Sequence, residues 1–256
     1  MAAMMGEMRG QSVWFEPGVG AMFDLARLER GGGHHFILNR RYRQTWLRSI
    51  RAFVLDGANA RFPEVGGNGY LIIKEPGGSA GAPLLMEALP ESRMVLLVRD
   101  PRDVVASWLD AGREGGWQRR RRDSRGPAGQ ALAEADPAAF VRTRAKTFLE
   151  NVSNAKRAYE AHDGLKVLVR YEELRADALA TMRRLYSTLE IPVDEAQLAR
   201  AVAKHAWESI PESEKGSRKF YRKATPGSWR DDLTPEQARI VERVTQPLLE
   251  QLYPNG

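Results

Sequence analysis

Four short apolar runs punctuate the chain, at 12–15, 70–73, 94–98 and 166–170, and between them apolar residues recur at helical spacing. Each run is four or five residues long and ends in polar or charged residues, the pattern of strands buried on both faces of a parallel sheet. The intervals read as helices. Residues 21–30 form one that stops at Gly31-Gly32-Gly33, and 40–55 another, with Trp46, Ile50, Phe53 and Val54 on one face and basic residues opposite. A helix at 82–89 leads back to the third strand, Asp136 caps a long helix reaching His162, and two more follow at 178–189 and 194–204. The last, 234–253, opens with Thr234-Pro235-Glu236, a cap, a proline and an acid in their preferred places. This alternation predicts an α/β fold of three layers, a mainly parallel sheet with helices on both faces, in a single domain over 1–256.

Chemistry concentrates where the third strand meets its helix, in MVLLVRDPRDVVASWLDA at 94–111. Asp100 and Pro101 supply the helix start, Arg99 leaves the strand's carboxyl end, and Ser107 lies one to two turns into the helix. Arg99 and Ser107 are suited to hold a phosphate outside the sheet edge. By itself the stretch reads equally as a buried strand and helix with a surface arginine and a small packing serine. Lys74 ends the second strand as Arg99 ends the third, which in a parallel sheet puts both on one edge. Glu75 beside it and Glu16 after the first strand are candidate proton acceptors, and each reads as readily as a cap or an ion-pair partner.

Composition narrows the options. There is no cysteine, which removes disulfides, thiolate catalysis and cysteine-ligated metals, and the four histidines show no zinc-type spacing, so no metal is expected. The opening residues carry no long apolar stretch and no run approaches the roughly 20 residues of a membrane span, so the expectation is a cytoplasmic protein with no transmembrane segment. An excess of 39 Lys and Arg over 33 Asp and Glu gives +6, favouring an anionic ligand. Part of that excess is RRRRDSR at 119–125, within a Gly-rich stretch over 112–129 that reads as a mobile, solvated loop and not as a nucleic-acid contact. A second polar stretch, 211–232, is long enough to imply function.

VRDPRDVVASW resembles the segment of bacterial-type sulfotransferases that binds the 3′-phosphate of the sulfate donor PAPS (3′-phosphoadenosine 5′-phosphosulfate). Further along, VLVRYEEL followed by MRRLYSTLEIP is similar to that family's late strand and helix, and His205-Ala206-Trp207 to its adenine-sandwiching stretch. Arg222-Lys223-Ala224, then Pro226-Gly227-Ser228-Trp229, resembles its Arg-Lys-Gly and Gly-x-Trp segment, so that the likeness covers residues 16 to 253. The resemblance implies a fold like that of the P-loop nucleotide hydrolases. It also implies PAPS as co-substrate, adenosine 3′,5′-bisphosphate (PAP) as product, and no metal. The acceptor would be a small molecule, a glycan or a lipid offering a hydroxyl or an amine. The nucleotide ligands it implies are Arg99, Ser107, Tyr171, Trp207, Arg222, Lys223 and Gly227, with 211–232 covering the nucleotide. Lys74 would meet the leaving phosphate, with Glu75 or Glu16 as base. Without the resemblance, Trp207 and Tyr171 read equally as core residues.

Two departures stand out. The family's Gly- and Ser/Thr-rich loop for the 5′-phosphosulfate is missing: FILNRRYRQTWLRSI at 36–50 has the layout but no glycine, and Ala224 replaces the glycine of Arg-Lys-Gly. The expectation is that this loop lies upstream of Met1 or has been lost, leaving the 256-residue form a weak or inactive transferase. The alternative is a non-catalytic nucleotide-binding protein. A P-loop kinase is disfavoured, because no G-x-x-x-x-G-K-[ST] occurs.

Overall fold

The computed structural model describes residues 1–23, 42–77, 79–113, 115–117 and 135–253. In chain order these form α1 (Ala2–Met5), β1 (Gln11–Phe15), α2 (Val19–Met22), α3 (Arg43–Arg61), β2 (Tyr70–Lys74), α4 (Ala82–Ala88), β3 (Met94–Val98) and α5 (Pro101–Gly112). Then come α6 (Pro137–Ala161), β4 (Lys166–Arg170), α7 (Tyr171–Ala176), α8 (Ala178–Thr188), α9 (Glu195–Lys204), α10 (Trp229–Asp232) and α11 (Pro235–Leu252). The fold class is α/β. Hydrogen bonding joins the described strands as β1 with β2 and β3 with β4; the first pair is parallel, in a register that sets Phe15 opposite Lys74. No helix among the described residues is long and apolar enough to cross a membrane.

Internal contacts divide the chain into two compact units, 1–96 with 151–169 and 177–205, and 97–150 with 170–176 and 206–256. In the first, α3 turns Leu47, Ile50 and Val54 inward at spacings of three and four, against Leu84 and Ala88 of α4 and the following Leu89. Gly81 precedes α4 because nothing larger fits: a Cβ there would lie 2.1 Å from the carbonyl oxygen of Gly20, so two backbones touch directly. Tyr186 of α8, 1% exposed, donates from its hydroxyl to Gln11 Oε1 of β1 at 2.9 Å.

In the second unit Val105, Ala106 and Leu109 of α5 pack with Phe140, Val141 and Ala145 of α6 and with Ala238 and Val241 of α11. Burying each of the larger side chains contributes about 1.5–3 kcal/mol. The capping box expected from Thr234 is present: its hydroxyl accepts from Gln237 N at 3.2 Å, and Gln237 Oε1 accepts from Thr234 N at 3.0 Å.

Two segments are more ordered than hydrophobic periodicity indicates. Residues 171–176, which read as a strand end, are helical from Tyr171 onward. The polar stretch 211–232 contains a 3-10 turn at Glu212–Glu214, a bridge between Lys215 and Tyr221, and α10. Polar contacts hold it together with a few ring contacts, Phe220 against Trp117 and Trp229 against the core of α5, α6 and α11, so no repeating apolar face marks it. The expected helix at 21–30 beyond residue 23, and most of the expected loop at 112–129, lie outside the described residues.

Candidate functional site

The second unit carries all seven residues proposed to touch a nucleotide. Asp100 caps α5 by accepting from Arg102 N at 2.8 Å, with Pro101 next to it where a missing N–H costs nothing. The same carboxylate holds the Arg102 guanidinium at 2.8 Å, and Glu242 meets its other side at 3.1 Å. Asp100 N donates to Glu172 Oε1 at 2.9 Å, while Tyr253 donates to Glu172 Oε2 at 3.1 Å. Burial, with the charge and hydrogen bond of Glu172, pushes the Tyr253 phenol well above its ordinary pKa, so it stays a donor. These bonds fix the turn that follows Arg99.

Arg99 is treated differently from Arg102. Its guanidinium stacks 4.4 Å from the Tyr171 ring centroid, and its buried Nε has no hydrogen-bond partner. No carboxylate neutralises it among the described residues. The structure therefore brings together Arg99 and Tyr171, two residues named separately from sequence, as an oriented cation that meets no carboxylate among the described residues. Ser107 is half-buried farther along α5.

The segment after Trp207 is held by acids. Lys215 lies over the Trp207 indole at 5.1 Å and pairs with Glu212 at 2.7 Å. Arg222 and Lys223 share one carboxylate, Asp232, at 2.5 and 2.8 Å. Burial works against that carboxylate's charge, but the hydrogen bonds and charges of Lys223 and Arg222 outweigh it and hold its pKa below the ordinary value. Ala224 gives its carbonyl oxygen to Arg175 Nε at 3.0 Å. Gly227, at φ +79°, and Trp229 donate their backbone N–H groups to Asp103.

The remaining three candidates sit together in the first unit. Lys74 Nζ pairs with Glu16 Oε1 at 2.5 Å, as the parallel register of β1 and β2 allows, and Glu16 N donates to Lys74 O at 2.9 Å. Glu75 Oε1 accepts from Gly18 N at 2.6 Å, so it caps the turn into α2. Among the described residues no group of three or more His, Asp or Glu is arranged to hold a metal.

Residues 82–253, two thirds of the chain, match the family model described as the sulfotransferase domain. The chain belongs to the sulfotransferase family. The matched stretch contains Arg99, Ser107, Tyr171, Trp207, Arg222, Lys223 and Gly227, and it begins after Glu16, Lys74 and Glu75. The crystal structure of mouse sulfotransferase SULT7A1 complexed with PAP is similar with a TM-score of 0.49 at 15% identity, over 73% of this chain and 66% of that one. The chain thus spans just under two thirds of that protein's length. No curated protein matches it by sequence.

Sequence reasoning missed Asp103, Asp232 and Glu172. Asp103 stands in the first turn of the expected helix, Glu172 in what reads as a strand end and Asp232 in a polar loop; distant chain brings Asp103 and Glu172 their partners, and Asp232 takes its own from nine and ten residues back.

Proposed function

We propose that this sulfotransferase moves a sulfuryl group from PAPS to a hydroxyl, or an amine, of a small-molecule, glycan or lipid acceptor, releasing PAP. One observation carries the reading: Arg99 is a half-buried residue whose guanidinium is stacked on Tyr171 and whose buried Nε has no hydrogen-bond partner. A ribose 3′-phosphate is a dianion that suits this planar fork, and Ser107 adds a hydroxyl on the helix that starts two residues after Arg99. Trp207 offers an aromatic face to the adenine, and 211–232 closes over the nucleotide with Arg222 and Lys223. The donor supplies an activated sulfuryl group; its transfer asks mainly for alignment and for cations where charge builds. Lys74 is the cation proposed to meet the leaving phosphate, and Glu16, exposed beside it, is freer than Glu75 to take the acceptor's proton.

A binding-only protein is the second reading, favoured by the Lys74–Glu16 pair, which leaves that ammonium already neutralised. Calorimetry separates the nucleotide claim from the catalytic one. PAP is expected to bind at least about tenfold tighter than AMP, since a charge-assisted contact is worth about 1.5–3 kcal/mol, and Arg99→Ala is expected to erase most of the difference. Equal affinity of the wild type for both nucleotides rejects the site. PAP release from PAPS that depends on an added acceptor supports transfer; tight PAP binding without such release leaves the binding-only protein.

A further inference from the structure

Asp103 has no part in the donor site as proposed above, yet it is the fully buried acid of the first turn of α5, 0% exposed. Burying a carboxylate is costly unless both oxygens are satisfied. Here they are satisfied from a segment far along the chain: Oδ2 accepts from Gly227 N at 2.8 Å and Oδ1 from Trp229 N at 2.9 Å. No cation pairs with it among the described residues. Its bonds are spent on fixing backbone.

We infer that Asp103 is the positioning residue of the nucleotide-covering segment, setting where Arg222 and Lys223 stand for the 3′-phosphate; the inference rests on the donor-site reading above. The contacts form a chain. Asp103 holds Trp229 N, the first residue of α10; Asp232, the last residue of that single turn, holds both Arg222 and Lys223. Asp103 also holds Gly227, only five residues after Arg222, a span of at most about 18 Å even if extended. Ala224, between them, is fastened by Arg175. The anchor is on the right part of α5, because Asp103 and Ser107 are four residues apart and so share a face of the helix. Arg102, the neighbour of Asp103, stacks on the Trp229 indole at 4.4 Å and steadies the same joint.

An acid that merely stabilised the fold would leave nucleotide preference alone, so the readout is the ratio of PAP to AMP affinity in the full chain, by calorimetry. Asp103→Asn keeps the shape but presents N–H to one of the two amides, losing one bond and setting donor against donor. The ratio is expected to fall about tenfold, with AMP affinity within about twofold of wild type. Gly227→Ala strains the same joint with Asp103 intact, since the backbone there is at φ +79° and the new Cβ would lie 2.8 Å from Arg230 Nη1; a smaller fall is expected. If Asp103→Asn does not fold, Asp232→Asn decides, since it loosens Arg222 and Lys223 at the other end of the same chain of contacts and is expected to lower the ratio in the same way. An unchanged ratio, or equal loss of PAP and AMP, overturns the inference. A wild type that does not distinguish PAP from AMP overturns the donor-site reading and this inference together, which the wild-type titration alone reveals.

Discussion

At Ala224 the backbone turns through φ +52°, a conformation that costs a residue with a Cβ roughly 1–2 kcal/mol. The carbonyl of the same residue is held by Arg175, so the turn is enforced from outside. Ala224→Gly is expected to remove that penalty, less the larger entropy glycine loses on folding, for a net gain of about 0.5–1 kcal/mol and a rise in Tm of a few degrees. A thermal melt showing no gain would mean that the strain is relieved elsewhere. This residue was legible in sequence, as the alanine standing where the resembled Arg-Lys-Gly segment has its glycine. Arg99, Asp100 and Pro101 were legible too, because a strand end, a cap and an N1 proline are written in adjacent residues. Asp103 and Asp232 were not. An acid in the first turn of a helix is already explained by the helix dipole, and nothing nearby announces amides or cations that arrive more than a hundred, or about ten, residues away.

Elements followed the same division. The strands at Met94–Val98 and Lys166–Arg170 and the longer helices around them, though not the short α7, were readable to within a residue or two, since burial on a face imposes a period. What ties one element to another was not readable. Tyr186 fastens α8 to β1 through Gln11, and both look like ordinary members of their own elements. Burial pushes the Tyr186 phenol up to about 12 from an ordinary 10.0. The neutral form is thus the one the fold favours: its contribution is fully present below pH 10 and is lost as pH rises towards 12. Denaturant unfolding at stepped pH is expected to show that alkaline loss in the wild type and less of it in Tyr186→Phe. At neutral pH the variant should be less stable by about 1 kcal/mol, because Gln11 Oε1 loses its donor. Identical alkaline profiles would exclude Tyr186 as the titrating group.

Taken whole, the chain assigns its chemistry by unit: the nucleotide candidates fall in the second and Glu16, Lys74 and Glu75 in the first. The family match over 82–253 covers the second unit almost completely but cuts the first. A fragment of residues 82–253 is therefore expected not to fold cooperatively. It strands Leu84 and Ala88 without Leu47 and Ile50, and Tyr186 without Gln11. Circular dichroism should show a broad melt and calorimetry no PAP binding; a sharp transition with wild-type affinity would refute this. The unit assignment also explains why the site was only half legible: sequence order says nothing of which segments will share a core.

The chain passes from one unit to the other five times, after residues 96, 150, 169, 176 and 205. No contiguous block of the gene encodes either one. Exchange of coding segments between relatives, the quick route by which proteins acquire a new partner domain, is closed to both units. Three of the five crossings fall inside β3, α6 and β4, so an insertion there would interrupt the element itself.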